Sequence, residues 1–274
     1  MILLVASAKD VASLNIKSQI LNHYPFKETG ETFQNNLTYE TVINNRNVKL
    51  VTLKEESIYA QTLPNSFPNL DLIVFISRHS SLSGTPTLSV HTPGNLANAE
   101  LGGIPRKVSI SPANAMREAL KTMVRFKEEK SLNYEVSYEC THHGPSLDVP
   151  TMFAELGSSP EQWDDTQAAE AVGHAALKAI SSFADSKAPI SVGIGGPHYS
   201  AKFTRLALEK DIAFSHMIPK YALTNIDAEV IRQCVERTLE KVSSIVLDWK
   251  GIKGEDKPRL VEMLNTLNLP VTRV

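Results

Sequence analysis

Ile2-Leu3-Leu4-Val5-Ala6-Ser7-Ala8-Lys9-Asp10-Val11 is the stretch whose reading decides the fold. Residues 2–6 are apolar without alternation and too few for a helix, which predicts a strand buried on both faces of a sheet. Asp10 then supplies an N-cap carboxylate. Val11, Leu14, Ile20 and Leu21 supply much of an apolar face for a helix over 10–23. A buried strand feeding an amphipathic helix is the unit from which α/β proteins are built.

The same reading extends along the chain. Residues 72–76 form a second continuous apolar strand, and 87–91, 134–141, 152–156, 190–194 and 245–249 read as further strands. Helices are expected over 112–129, with Ser111 as cap and Pro112 in the first turn, and over 165–183, 204–209, 227–241 and 259–267. Residues 37–43 and 48–53 alternate around Asn44-Asn45-Arg46-Asn47, a hairpin signal. Alternating strands and helices interrupted by a hairpin predict an α/β three-layer sandwich with a mixed sheet. With no repeat, low-complexity tract or linker, residues 1–274 are expected to form a single domain.

Composition bounds the function. Of 274 residues, 42% are hydrophobic and 21% charged, which excludes disordered and fibrous classes. A net charge of −2 gives no global field for nucleic acid, so an RNA contact needs a local basic patch. The start of the chain lacks the basic region of a signal peptide, and no run is long enough to span a bilayer. Cys140 and Cys234 are the two cysteines, so a disulfide framework is not expected and the reducing cytoplasm is.

Chemistry concentrates on histidine. His79, His91, His142, His143 and His198 each stand at or just past a predicted strand end, beside Ser, Gly or Pro. In α/β sheets ligands bind outside the carboxyl ends of strands, so these five are expected to share one cleft. In Glu139-Cys140-Thr141-His142-His143-Gly144-Pro145, adjacent histidines can reach one site only where the strand breaks between them, and Gly144-Pro145 supplies the break. One His would bind metal or act as base while the other orients it or grips substrate. A pair that merely caps a turn is the competing account.

Gly193-Ile194-Gly195-Gly196-Pro197-His198-Tyr199 ends a buried strand, and its N–H groups can face an anion or a developing oxyanion. It is neither a P-loop nor a dinucleotide fingerprint. Ser77-Arg78-His79-Ser80-Ser81 and Val90-His91-Thr92-Pro93-Gly94-Asn95 place polar groups where strands become loops. Glu155, inside an apolar strand, needs a basic partner or a metal. Cys140 reads as a small buried residue more readily than as a nucleophile. Glu170 and His174 read as a solvated helix face.

Taken together, Ser77-Arg78-His79-Ser80, Val90-His91-Thr92-Pro93-Gly94-Asn95, Thr141-His142-His143-Gly144-Pro145, Glu155-Leu156-Gly157-Ser158 and Gly195-Gly196-Pro197-His198-Tyr199 resemble the archaeal and plant type of D-aminoacyl-tRNA deacylase, the family with D-tyrosyl-tRNA deacylase activity. Ser215-His216 departs from the Gly-His expected there. The resemblance implies a zinc-dependent hydrolase with a fold like phosphorylases and peptidyl-tRNA hydrolases, cleaving the ester of D-aminoacyl-tRNA. It implies His142, His143, His198 and Thr141 as catalytic residues. Arg78, His79, Ser80, Asn95, Gly195, Gly196 and Tyr199 would bind substrate. His91, His142, His143 and Glu155 would hold zinc, in a set that spacing alone does not fix. The expected partner is the tRNA acceptor end, with no membrane, and the chain is expected to act as a monomer. Two rivals are a nucleoside phosphorylase-like transferase and a non-catalytic RNA-end-binding module.

Overall fold

The computed structural model describes residues 1–183 and 188–274. β1 (Ile2–Ser7) is buried throughout and passes into α1 (Val11–His23), whose Ser13 N–H donates to the Asp10 cap at 3.0 Å. β2 (Lys27–Phe33), β3 (Asn36–Ile43) and β4 (Arg46–Leu53) follow as an antiparallel meander. The hairpin turn is tighter than expected, with Asn44 and Asn45 at φ +47° and +60°, the left-handed pair that a two-residue turn requires. β2 was not expected. Its residues are polar on both faces, and it survives as an edge strand with most side chains exposed.

Next come β5 (Leu72–Arg78), β6 (Thr87–His91), α2 (Ala113–Glu129), β7 (Glu135–Tyr138), β8 (Thr151–Gly157), α3 (Pro160–Trp163) and α4 (Thr166–Ser182). Past residues 184–187 lie β9 (Ile190–Ile194), α5 (Ala201–Glu209), β10 (Ala213–Ile218), α6 (Ala228–Glu236), β11 (Val242–Leu247), α7 (Lys257–Asn265) and β12 (Val271–Arg273).

The strands form two sheets. An eight-stranded mixed sheet runs β2-β3-β4-β1-β5-β8-β6-β7, and a four-stranded parallel sheet runs β10-β9-β11-β12. Side chains of α1, α2 and α4 cover one face of the larger sheet with Ile16, Met116 and Val172. On the other face, Phe75 and Phe153 stack 4.6 Å apart within a smaller cluster. Because side chains alternate along a strand, Ser77 and Glu155 share that second face with Phe75 and Phe153.

Two expectations change here. β7 ends at Tyr138, three residues early, because the chain then leaves the large sheet. The N–H groups of Cys140 and Thr141 donate to His198 O and Met217 O, each at 2.9 Å, and Glu139 bridges Tyr199. Residues 139–141 thus stitch the two sheets together. Ser111 does not cap α2 either, since its hydroxyl bonds Thr92. The N–H groups of Ala113 and Asn114 donate instead to the Glu240 carboxylate at 3.1 and 3.0 Å. Glu240→Ala is expected to cost about 1–2 kcal/mol in urea unfolding, with Glu240→Gln recovering part of it as an uncharged acceptor.

Candidate active site

Five of the eight imidazoles meet. Ring centre to ring centre, His142 lies 4.4 Å from His91, 4.3 Å from His143 and 4.5 Å from His198, and His79 lies 6.0 Å from His198. They do not gather at one rim. β6 runs antiparallel to β8, with His91 opposite Phe153, so the carboxyl ends of β5 and β6 point to opposite edges. The site lies instead across the Phe75–Phe153 face of the sheet, where strand direction reverses. The break between His142 and His143 is a backbone one. His143 sits at φ +40°, and Gly94 N–H donates to both carbonyls, at 3.1 and 2.7 Å. A non-glycine residue there costs on the order of 1 kcal/mol, so the surrounding bonds hold the turn.

At the centre stands Glu139, present in the string but given no role by sequence. Fully buried, it accepts from His198 Nε2 at 2.8 Å, while its other oxygen lies 3.1 Å from His79 Nδ1. His142 Nε2 is 3.7 Å away. Glu155 accepts from Ser77 Oγ at 2.8 Å and approaches His79 Nδ1 at 3.4 Å. The signal that could have found Glu139 is the one applied to Glu155, an acid inside a neutral strand. Standing next to the histidines made it look like their neighbour rather than their partner.

Burial opposes charge at every group here. At His79 the Glu139 and Glu155 carboxylates outweigh burial and push the imidazole up to about 11. At His198 bonds to Cys140 and Glu139 do the same, to about 10. Glu139 is in turn held well below the usual carboxylate range, burial losing to its bonds with His198 and His79. Burial prevails at Glu155, which rises to about 7. It prevails also at His91 and His142, which fall well below the ordinary value, and at His143, which falls to about 4. Two charged imidazoles and three neutral ones therefore share one carboxylate.

The neutral three fit a zinc ion. His142 Nδ1–H donates to Cys140 O at 2.8 Å and His143 Nδ1–H to Gly144 O at 2.7 Å, which fixes both tautomers and turns the Nε2 lone pairs inward. His91 Nε2 faces His143 Nε2 at 3.2 Å, and its buried Nδ1 has no hydrogen-bond partner. Two such nitrogens must share a proton or a cation. A set of one nitrogen from each ring lies within 4.8 Å of one another, as a three-histidine zinc site requires. Glu155 falls into a different group, with His91 and Glu139.

The remaining sequence-expected residues divide. Tyr199 Oη bonds His79 Nε2 at 2.7 Å and so orients it. Arg78 pairs with Glu56 at 2.9 Å and donates to Lys9 O. Thr141 faces His216 at 3.1 Å, and His216 bonds on to Arg237 O, so His216 serves the joint between the sheets rather than the cluster. Asn95 donates its amide to Gly102 O and Ile104 O. Gly195 N–H is spent on Ile218 O, which removes it as an oxyanion donor, and Gly196 lies against Asp248. Two clefts open on the cluster, about 410 and 500 Å³ in volume, and share Leu101, His142 and His143 as walls. Asn95 and Thr141 line the first, Arg78, His79, Ser80 and His198 the second.

Imidazoles that hold protons, set beside imidazoles that lack them, give and take protons at one substrate atom, which is the work of an enzyme. A family model described as D-aminoacyl-tRNA deacylase matches residues 66–272. The D-aminoacyl-tRNA deacylase of Pyrococcus furiosus is 38% identical over 266 residues, covering 95% of each chain. That of Thermococcus onnurineus is 37% identical over 276 residues, covering 98% of each. A crystal structure of a conserved protein of unknown function superposes with a TM-score of 0.87 at 29% identity, covering all of this chain and 95% of its own. The chain belongs to the D-aminoacyl-tRNA deacylase family. No helix among the described residues is long and apolar enough to cross a membrane.

Proposed function

We propose that the cluster hydrolyses the ester joining a D-amino acid to the 3′ end of tRNA, releasing free D-amino acid and tRNA. One observation carries this: His198 Nε2 and His142 Nε2 both lie within 4 Å of the same Glu139 oxygen, at 2.8 and 3.7 Å. A neutral imidazole of the His142–His143 pair takes a proton from water as the water oxygen attacks the ester carbonyl carbon. His198 gives its proton to the departing ribose oxygen as the ester C–O bond breaks. Glu139 keeps His198 and His79 charged, and Tyr199 fixes the His79 ring. A zinc ion held by His91, His142 and His143 would occupy the lone pairs of that pair and replace their base role, supplying Lewis acidity toward water and the ester carbonyl. An L side chain is excluded sterically. In this reading the partner is the acceptor end of the tRNA and the protein acts as a monomer in the cytoplasm.

The test is release of amino acid from D- and L-aminoacyl-tRNA. The D ester is expected to be cleaved and the L ester to persist. Phosphate-dependent turnover of free nucleosides without ester cleavage would favour a transferase, and tRNA binding without release a non-catalytic module. The metal has its own readout. Protein purified without added zinc is expected to hold roughly one ion per chain, and His91→Ala to hold less, with chelation slowing deacylation. Unchanged zinc content in His91→Ala would remove His91 from the ligand set.

A further inference from the structure

We infer that the substrate is divided at the His142–His143 wall, the terminal adenosine entering the 410 Å³ cleft and the D-aminoacyl group the 500 Å³ cleft. The assignment rests on the deacylase reading and deepens it. The scissile ester is the junction between nucleoside and amino acid, so the bond must lie at the catalytic imidazoles and its two parts must extend away from them. The two clefts have that arrangement. Each has a volume typical of a small-molecule site.

Chemistry decides which part goes where. The first cleft presents the carboxamides of Asn98 and Asn225, the ring of Tyr221 and apolar Ala97 and Pro219, with Glu100 as its one charged group. Asn98, Asn225 and Tyr221 are exposed, and so available to a ligand. An uncharged, flat base with donors and acceptors on its edge matches carboxamides and an aromatic face. The second cleft holds Asp10, Glu56 and Glu155 beside Arg78, His79 and His198, with Tyr59 and Phe153 as apolar surface. The α-ammonium is the one cation of the substrate, and carboxylates favour it there. Asp10 and Glu155 are buried and bonded to Ser13 N and Ser77 Oγ, whereas the Glu56 side chain is 30% exposed and holds Arg78 through Oε1, which leaves Oε2 as the ammonium contact.

Adenosine 5′-monophosphate, a mimic of the terminal nucleotide, gives a test that needs no turnover. Wild-type protein is expected to bind it, and Ala97→Trp to weaken that binding about tenfold or more in calorimetry. Ser80→Trp, at the other cleft, is expected to leave its affinity nearly unchanged. The surface double variant Asn98→Ala/Asn225→Ala tests the same cleft should the tryptophan disturb folding, and is expected to weaken binding as well. For the other half, acetylating the α-amine of D-aminoacyl-tRNA is expected to lower kcat/KM about tenfold in wild type and to have little effect in Glu56→Gln. Nucleotide binding that survives at the first cleft and fails in Ser80→Trp would overturn the assignment, as would no binding at all. A chain that binds the nucleotide as expected yet never cleaves the ester would leave the adenosine cleft standing and sink the deacylase reading instead.

Discussion

Glu139→Gln is expected to slow deacylation about 10²–10⁴-fold while leaving the chain folded. The amide keeps the shape and still accepts one hydrogen bond from His198, but the charge that holds protons on His198 and His79 is gone. His198 should then titrate far below its value of about 10, and His79 below about 11, both readable by NMR. An acid that has lost its proton near neutral pH cannot protonate the leaving oxygen. Stability should change with the same sign. A histidine whose folded value is raised contributes fully below its unfolded value of about 6.5. That contribution fades as pH climbs toward 10, and in the variant this alkaline slope should flatten. Glu139→Ala is the harsher change, since it also removes the acceptor of His198 and leaves buried His79 with Glu155 alone, 3.4 Å away. Unaltered turnover together with unaltered imidazole titration in Glu139→Gln would remove Glu139 from the mechanism.

His142→Ala and His143→Ala, made singly, are each expected to lose about 10²–10⁴ in kcat/KM. The two should differ in what else they do. His142 sits in ordinary backbone, so its loss is chemical. His143 holds a left-handed φ of +40°, a conformation alanine tolerates poorly and glycine freely. His143→Gly should therefore be at least as stable as His143→Ala in thermal unfolding and equally inactive. That pairing separates a missing imidazole from a damaged turn. Full activity in both alanine variants would end the hydrolytic proposal.

What the sequence made legible followed from local physics. A run of five apolar residues, an Asp cap and a paired-Asn turn each determine their own few residues, so β1, α1 and the β3–β4 hairpin fall where expected. The histidines were legible by type and position, since an imidazole at a strand end beside Gly or Pro is seldom idle when it recurs. Features set by distant residues were not. β2 carries no apolar face, and its pairing is imposed by β3. The reversed direction of β6 comes from its neighbours, and it moved the site from a sheet rim to a sheet face. Glu240 caps a helix that starts 127 residues earlier, which no local pattern can announce. The role of Glu139 required knowing that His79 and His198 would arrive from elements 60 and 59 positions away. The clefts have the same origin, since Leu101, Tyr221 and Asn225 become cleft walls only after folding.

The stitch at residues 139–141 makes the catalytic centre and the mechanical joint of the molecule one object. The proton donor His198 follows a strand of the small sheet, His91 ends a strand of the large one, His142 and His143 follow the seam directly, and their alignment depends on backbone bonds a few residues long. A slip of even one register there would part acid from base while both halves kept their shape. An engineer grafting either half elsewhere would therefore have to carry the seam along.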